Sequence, residues 1–206
     1  MSENLIEILR RDKIYPIIRV NDFQKAIDIS KALIDGGIRL LEINVENISL
    51  YKTIKEVSKI ANVCAGGIIT STQADFAVKN GAIAFSSPIF QVSLVKISKN
   101  TRVPYIAGAT TANEAYEAWK SRIPLTKLFP AEAMGGVHYV ESILRQMPFL
   151  SLMPTGNIKL SEVISYLSAG AKAVGIGRDF YQELTYSEIT ERAKNILTEI
   201  RNLATN

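Results

Sequence analysis

A chain of 206 residues can bury one sizeable core and sits near the short end of what a complete barrel of eight strands and eight helices requires. With 47% hydrophobic and 21% charged residues, a formal net charge of +4 and no run of Lys and Arg interleaved with aromatics, the composition is globular and argues against a nucleic-acid partner. No apolar run approaches the roughly 18 residues of a membrane span, so no membrane association is expected.

In chain order, Met1 to Asn4 lacks the basic and apolar regions of a signal peptide, and an extra helix is expected ahead of the first strand. Short β-rich runs then alternate with longer helical patterns. Strands are predicted near 14–20, 39–44, 62–67, 83–87, 103–107, 125–129, 150–154 and 172–176. Between the first two, Phe23, Ala26, Ile27, Ile29, Ala32, Leu33 and Ile34 form a helical stripe. Cys64, flanked by Val63 and Ala65, is the single cysteine and reads as a buried thiol in a reducing compartment, with the cytoplasm the default location. One cysteine and one histidine, His138, cannot assemble the usual zinc shell. Three helix ends share a glycine before the next strand, at Gly36-Gly37, Gly81 and Gly170, as a left-handed cap requires. Eight such units across residues 1–206 predict a parallel α/β fold, a (β/α)8 TIM barrel forming one domain. An open doubly wound sheet is the alternative, but the turn after the first strand, Arg19 to Asp22, has no glycine-rich dinucleotide loop.

In such a barrel the catalytic groups lie at the C-terminal ends of the strands. Three strands carry a charge where a core residue is expected: Arg19 ends the first, Glu42 sits inside the second and Lys127 inside the sixth. Period two groups Ile17 with Arg19, Leu40 with Glu42 and Asn44, and Leu125 with Lys127 and Phe129. A buried ion pair without catalytic meaning is one reading of this set. The other is imine chemistry, in which a desolvated amine attacks a ketone, the carboxylate shuttles protons and an arginine holds the substrate carboxylate. Loops after the seventh strand (Pro154, Thr155, Gly156, Asn157) and the eighth (Gly175 to Asp179) stand where barrels commonly bind phosphate.

The segment from Lys127 to Gly136 (KLFPAEAMGG), followed by Pro154 to Ile158 (PTGNI), resembles the 2-keto-3-deoxy-6-phosphogluconate aldolases, also known as 4-hydroxy-2-oxoglutarate aldolases. Further similarities run from Gly37 to Glu42 and through Ala65-Gly66, Ser87-Pro88, Pro104 to Gly108 and Gly175 to Gly177. The resemblance implies a homotrimeric class I aldolase that needs no cofactor and cleaves the phosphorylated 2-keto acid into pyruvate and glyceraldehyde 3-phosphate. It assigns the Schiff base to Lys127, proton transfer to Glu42, and phosphate binding to Thr155, Gly156, Asn157 and Gly177, with Arg19 and Phe129 also facing the small-molecule substrate. The chain departs from the family pattern at Glu46, where many members carry the carboxylate-binding Arg, at Gly67 in place of a Thr, at Arg178-Asp179 in place of small residues, and at Asn157 in place of a Gly. Arg19 is expected to replace the missing Arg, or else to pair with Asp22. Cleavage of 4-hydroxy-2-oxoglutarate or of the galactonate epimer, and a non-catalytic metabolite-binding module, are the rival readings. His138 is expected on the exposed side of the sixth helix, Trp119 packed on the fifth, and Met134 at the edge of the site or as filler.

Overall fold

In the computed structural model, which describes residues 5–205, the apolar residues of Leu5–Asp12 (α1) fall on one face, burying Leu5, Ile8 and Leu9. They pack against residues at the starts of the strands, among them Leu40, Leu125 and Ala173, so the extra helix plugs the N-terminal end of a ring. Its eight strands are Ile14–Ile18 (β1), Leu40–Asn44 (β2), Asn62–Gly66 (β3), Ala84–Ser86 (β4), Tyr105–Ala109 (β5), Thr126–Leu128 (β6), Leu152–Pro154 (β7) and Val174–Ile176 (β8). All pair in parallel in the order β7-β6-β5-β4-β3-β2-β1-β8, and a parallel bridge between Thr155 and Gly175 links the two ends. This is the predicted (β/α)8 barrel.

The connecting helices are Phe23–Asp35 (α2), Leu50–Val57 (α3), Ser71–Lys79 (α4), Val92–Thr101 (α5), Ala112–Lys120 (α6), Gly136–Gln146 (α7), Val163–Ser168 (α8) and Tyr186–Thr205 (α9). They cover the outer face of the sheet, where Ile14, Ile18, Leu41, Ile43 and Val174 join Ala26, Leu33, Ile54 and Ala193 in the larger core. The glycines before β2, β4 and β8 adopt φ of +99° (Gly37), +96° (Gly81) and +100° (Gly170), the left-handed termination their spacing predicts. The seventh and eighth strands start two residues later than predicted but end where expected, whereas the fifth is shifted by two residues at both ends. Pro104 has no N–H for a ladder, and the strand instead runs on through Gly108, where the Pro88 backbone lies 2.1 Å from where a Cβ would be. Among the described residues no helix is long and apolar enough to cross a membrane.

Candidate active site

Alternation along the strands decides what enters the ring. On β2, Leu41 and Ile43 face the helices while Leu40 joins the interior cluster, which sends Glu42 inward with it. Tyr15 and Ile17 on β1, Cys64 on β3, Ala84 on β4 and Met153 on β7 share that interior. Glu42 is fully buried and Lys127 is 5% exposed, and they meet across the barrel. Lys127 Nζ donates to Glu42 Oε1 and Oε2, each at 3.1 Å. Two further groups complete the cluster: the Ser86 hydroxyl donates to Glu42 Oε2 at 2.6 Å, and the Tyr15 phenol donates to the same oxygen at 2.9 Å. Lys127 Nζ also lies 3.4 Å from Ser86 Oγ as a donor. A carboxylate so far from water is tolerable only with its lone pairs engaged, and here they are.

Room for this carboxylate comes from a missing side chain. A Cβ on Gly66 would stand 2.1 Å from Glu42 Oε1, so a glycine is required on the neighbouring strand. Burial, with Cys64 and Glu42 adding to it, pushes the Tyr15 phenol well above its ordinary range, which keeps it a protonated donor. Burial likewise raises the Cys64 thiol, and Cys64 is fully buried as its apolar neighbours predict. It is inert in this setting.

Above the cluster opens a cavity of about 680 Å³ whose walls include Lys127, Phe129, Arg19, Thr155, Gly156, Asn157 and Gly177. All the sequence-predicted binding residues therefore converge on one mouth, with Glu42 beneath it. Gly156 adopts φ +104° and a Cβ there would lie 2.9 Å from Pro130 Cα, so the loop after β7 folds close over the end of β6. Asn157 follows at φ +60°, a conformation that Asn tolerates where most residues do not. Gly175 leaves room for the buried Thr155, whose Cβ would sit 2.8 Å from an added methyl, and nothing lies within 4 Å of Gly177 on its Cβ side.

Arg19 does not pair with Asp22. Asp22 instead caps α2, accepting from Lys25 N–H at 2.7 Å, and Arg19 Nε lies 3.5 Å from Glu46 Oε1. Glu46 also accepts from Asn44 Nδ2 at 3.2 Å and lines the same cavity. The carboxylate standing where an arginine was expected thus orients the arginine that stands elsewhere. Asp179 is similarly engaged, accepting from Leu160 N–H at 2.8 Å. Outside the site, His138 is exposed beside Glu141, whereas Trp119 is not packed into the core: it is 43% exposed and its ring meets Tyr116 and Phe149. Met134 is 39% exposed, outside the core, and is not among the residues of the cavity wall.

Sequence reasoning missed Tyr15, Ser86 and the need for Gly66. A signal for the first was available, since Tyr15 is in phase with Ile17 and Arg19, but a tyrosine in an apolar strand reads as core.

The family model described as "KDPG and KHG aldolase" matches residues 5–194. The chain is 30% identical over 167 residues to the 2-dehydro-3-deoxy-phosphogluconate aldolase of Treponema pallidum, covering 80% of each chain. Its fold is similar to that of the 2-keto-3-deoxy-6-phosphogluconate aldolase of Zymomonas mobilis solved with 3-phosphoglycerate, at a TM-score of 0.85, 24% identity and 93% and 94% of the two chains covered. It is also similar in fold to the Legionella pneumophila KDPG aldolase solved with pyruvate captured as a covalent carbinolamine, at a TM-score of 0.83, 24% identity and coverage of 94% and 98%. A barrel with a lysine and a carboxylate buried together under its mouth, matched by the family model over nearly its whole length, belongs to the KDPG and KHG aldolase family and is a carbon–carbon lyase.

Proposed function

We propose that this chain is a Schiff-base aldolase that cleaves 2-keto-3-deoxy-6-phosphogluconate to pyruvate and glyceraldehyde 3-phosphate, with Lys127 as nucleophile and Glu42 as proton shuttle. The observation that carries the reading is the buried contact of Lys127 Nζ with Glu42 at 3.1 Å on the floor of the cavity. Glu42 takes a proton from the Lys127 ammonium, the freed amine adds to the C2 carbonyl, and Glu42 returns that proton to the carbinolamine hydroxyl, which leaves as water to give an iminium ion. Glu42 then takes the proton of the C4 hydroxyl as the C3–C4 bond breaks, and the bond's electron pair moves into the iminium to form an enamine. The aldehyde leaves, Glu42 returns a proton to C3, and water hydrolyses the imine to free pyruvate. Arg19 supplies a charged donor for the pyruvyl carboxylate, while Phe129 forms an apolar wall. The backbone around Gly156, Asn157 and Gly177, with Thr155, receives the phosphate, a role supported by the phosphorylated ligand of the Zymomonas relative. Cytoplasmic location and a homotrimeric assembly complete the proposal.

The test is pyruvate release from the phosphorylated acid and from its unphosphorylated analogue. Charge-assisted hydrogen bonds to the remote phosphate are worth about tenfold or more in affinity, and spent on positioning they raise kcat/KM by at least that factor. Equal values for the two substrates would transfer the assignment to 4-hydroxy-2-oxoglutarate. The observation favouring that second reading is the pair of carboxylates, Glu46 and Asp179, on the cavity wall.

A further inference from the structure

We infer that Tyr15 and Ser86 are positioning residues that divide the labour of the Glu42 carboxylate, anchoring Oε2 so that Oε1 alone exchanges protons with the substrate. Both hydroxyls are fully buried and both donate to Oε2, at 2.9 and 2.6 Å, whereas Oε1 has as its donor Lys127, which bonds the two oxygens alike at 3.1 Å. Once Lys127 is consumed as an imine and no longer an ammonium, Oε1 is left open and Oε2 keeps two partners. Oε1 is also the oxygen that occupies the space cleared by Gly66, 2.1 Å from where its Cβ would stand, next to the C-terminal end of β3. The two anchors come from β1 and β4, on either side of Glu42 in the sheet order, so they fix the carboxylate against rotation from both directions. Because Ser86 Oγ donates to Glu42 and accepts from Lys127 at 3.4 Å, it also sets the distance between nucleophile and base. The phenol of Tyr15 stays protonated in its buried setting, which makes it a permanent donor and not a second base.

This inference rests on the Schiff-base reading, and the enamine half-reaction separates the two. With pyruvate in deuterium oxide, the Lys127 iminium loses a C3 proton to Oε1, the C–H electron pair forms the enamine, and a deuteron returns to C3 from Oε1. Methyl exchange followed by NMR reads that transfer, while borohydride trapping read by mass reads imine formation alone. In Tyr15→Phe and Ser86→Ala, each a loss of one oxygen, the saturated exchange rate is expected to fall about tenfold or more, the loss of one charged hydrogen bond, and further in the double variant. Half-saturating pyruvate and the trapped fraction are expected within about twofold of the wild type, a margin under half a kcal/mol. Ser86→Thr, which keeps the hydroxyl, is expected to restore exchange. Exchange at the wild-type rate in both single variants overturns the anchoring role. So does a parallel loss of trapping and exchange in Tyr15→Phe, the shape-preserving variant, since that is what mere collapse of the interior produces. Failure of the wild type itself to trap pyruvate overturns the Schiff-base reading, and the anchoring role with it.

Discussion

Charge in a closed barrel is costly, and each buried atom of Lys127 and Glu42 is accounted for by a partner. In the proposed mechanism Glu42→Gln keeps the shape and removes the base, so turnover is expected to fall by about 10²–10⁴-fold while borohydride trapping of pyruvate persists. Wild-type turnover in that variant would refute the shuttle. Gly66→Ala is a subtler probe: its methyl would collide with Glu42 Oε1 at 2.1 Å, and it is expected to suppress turnover although every functional group remains. At the mouth, Arg19→Leu is expected to raise KM by roughly ten- to a hundredfold, the worth of a charged hydrogen bond to a carboxylate. Glu46→Gln is expected to act in the opposite direction. The Arg19–Glu46 pair is nearly half exposed on both sides, and such pairs are worth about 1 kcal/mol or less, so releasing Arg19 for the substrate should lower KM by no more than about fivefold. A rise in KM would mean that Glu46 is needed to hold Arg19 in place.

At the level of elements, the loops are held by their helices. Thr111 caps α6 and its Oγ1 accepts from Glu114 N–H, while Glu114 reaches back to the N–H groups of Thr110 and Thr111 at 2.8 Å. The same Thr110 donates to the Phe129 carbonyl at 2.7 Å, which ties this cap to the end of the lysine strand. Those backbone donors, Thr111 first, hold the Glu114 carboxyl below its usual range. A lowered folded-state value means that the capping interaction is complete above the ordinary glutamate range, near pH 4.3, and is lost as the pH falls through the lowered value. Thr111→Ala is accordingly expected to cost about 1 kcal/mol in denaturant unfolding at neutral pH, and less in acid. A cost that stays the same after acid has protonated Glu114 in the folded protein, followed by NMR of its carboxyl, would contradict the coupling. The elements were largely legible in the sequence because their signals are local: the stripe from Phe23 to Ile34, the left-handed glycines and the apolar strands each depend on neighbours a few residues away. Charged residues in strands were legible for the same reason, since Glu42 and Lys127 violate an apolar pattern. Tyr15 and Ser86 were not, because neither violates one. What makes them functional is a partner 27 and 44 residues distant, and the Arg19–Glu46 pairing likewise depends on which way two loops turn.

For the molecule as a whole, the two ends of the barrel do different work. The N-terminal end is sealed by α1 with Leu5, Ile8 and Leu9 against interior residues, and it serves stability; Ile8→Ala there is expected to cost about 2–5 kcal/mol of folding free energy with KM unchanged. The C-terminal end carries the cavity and the chemistry, as barrel enzymes arrange it, and Lys127 sits at the boundary between sealed interior and open mouth. The proposed chemistry depends on that lysine. Pyruvate and borohydride, followed by peptide mass spectrometry, test it most directly: one reduced pyruvyl adduct is expected on the peptide containing Lys127, absent after Lys127→Ala. An unmodified Lys127 peptide, or labelling that survives the substitution, would contradict it.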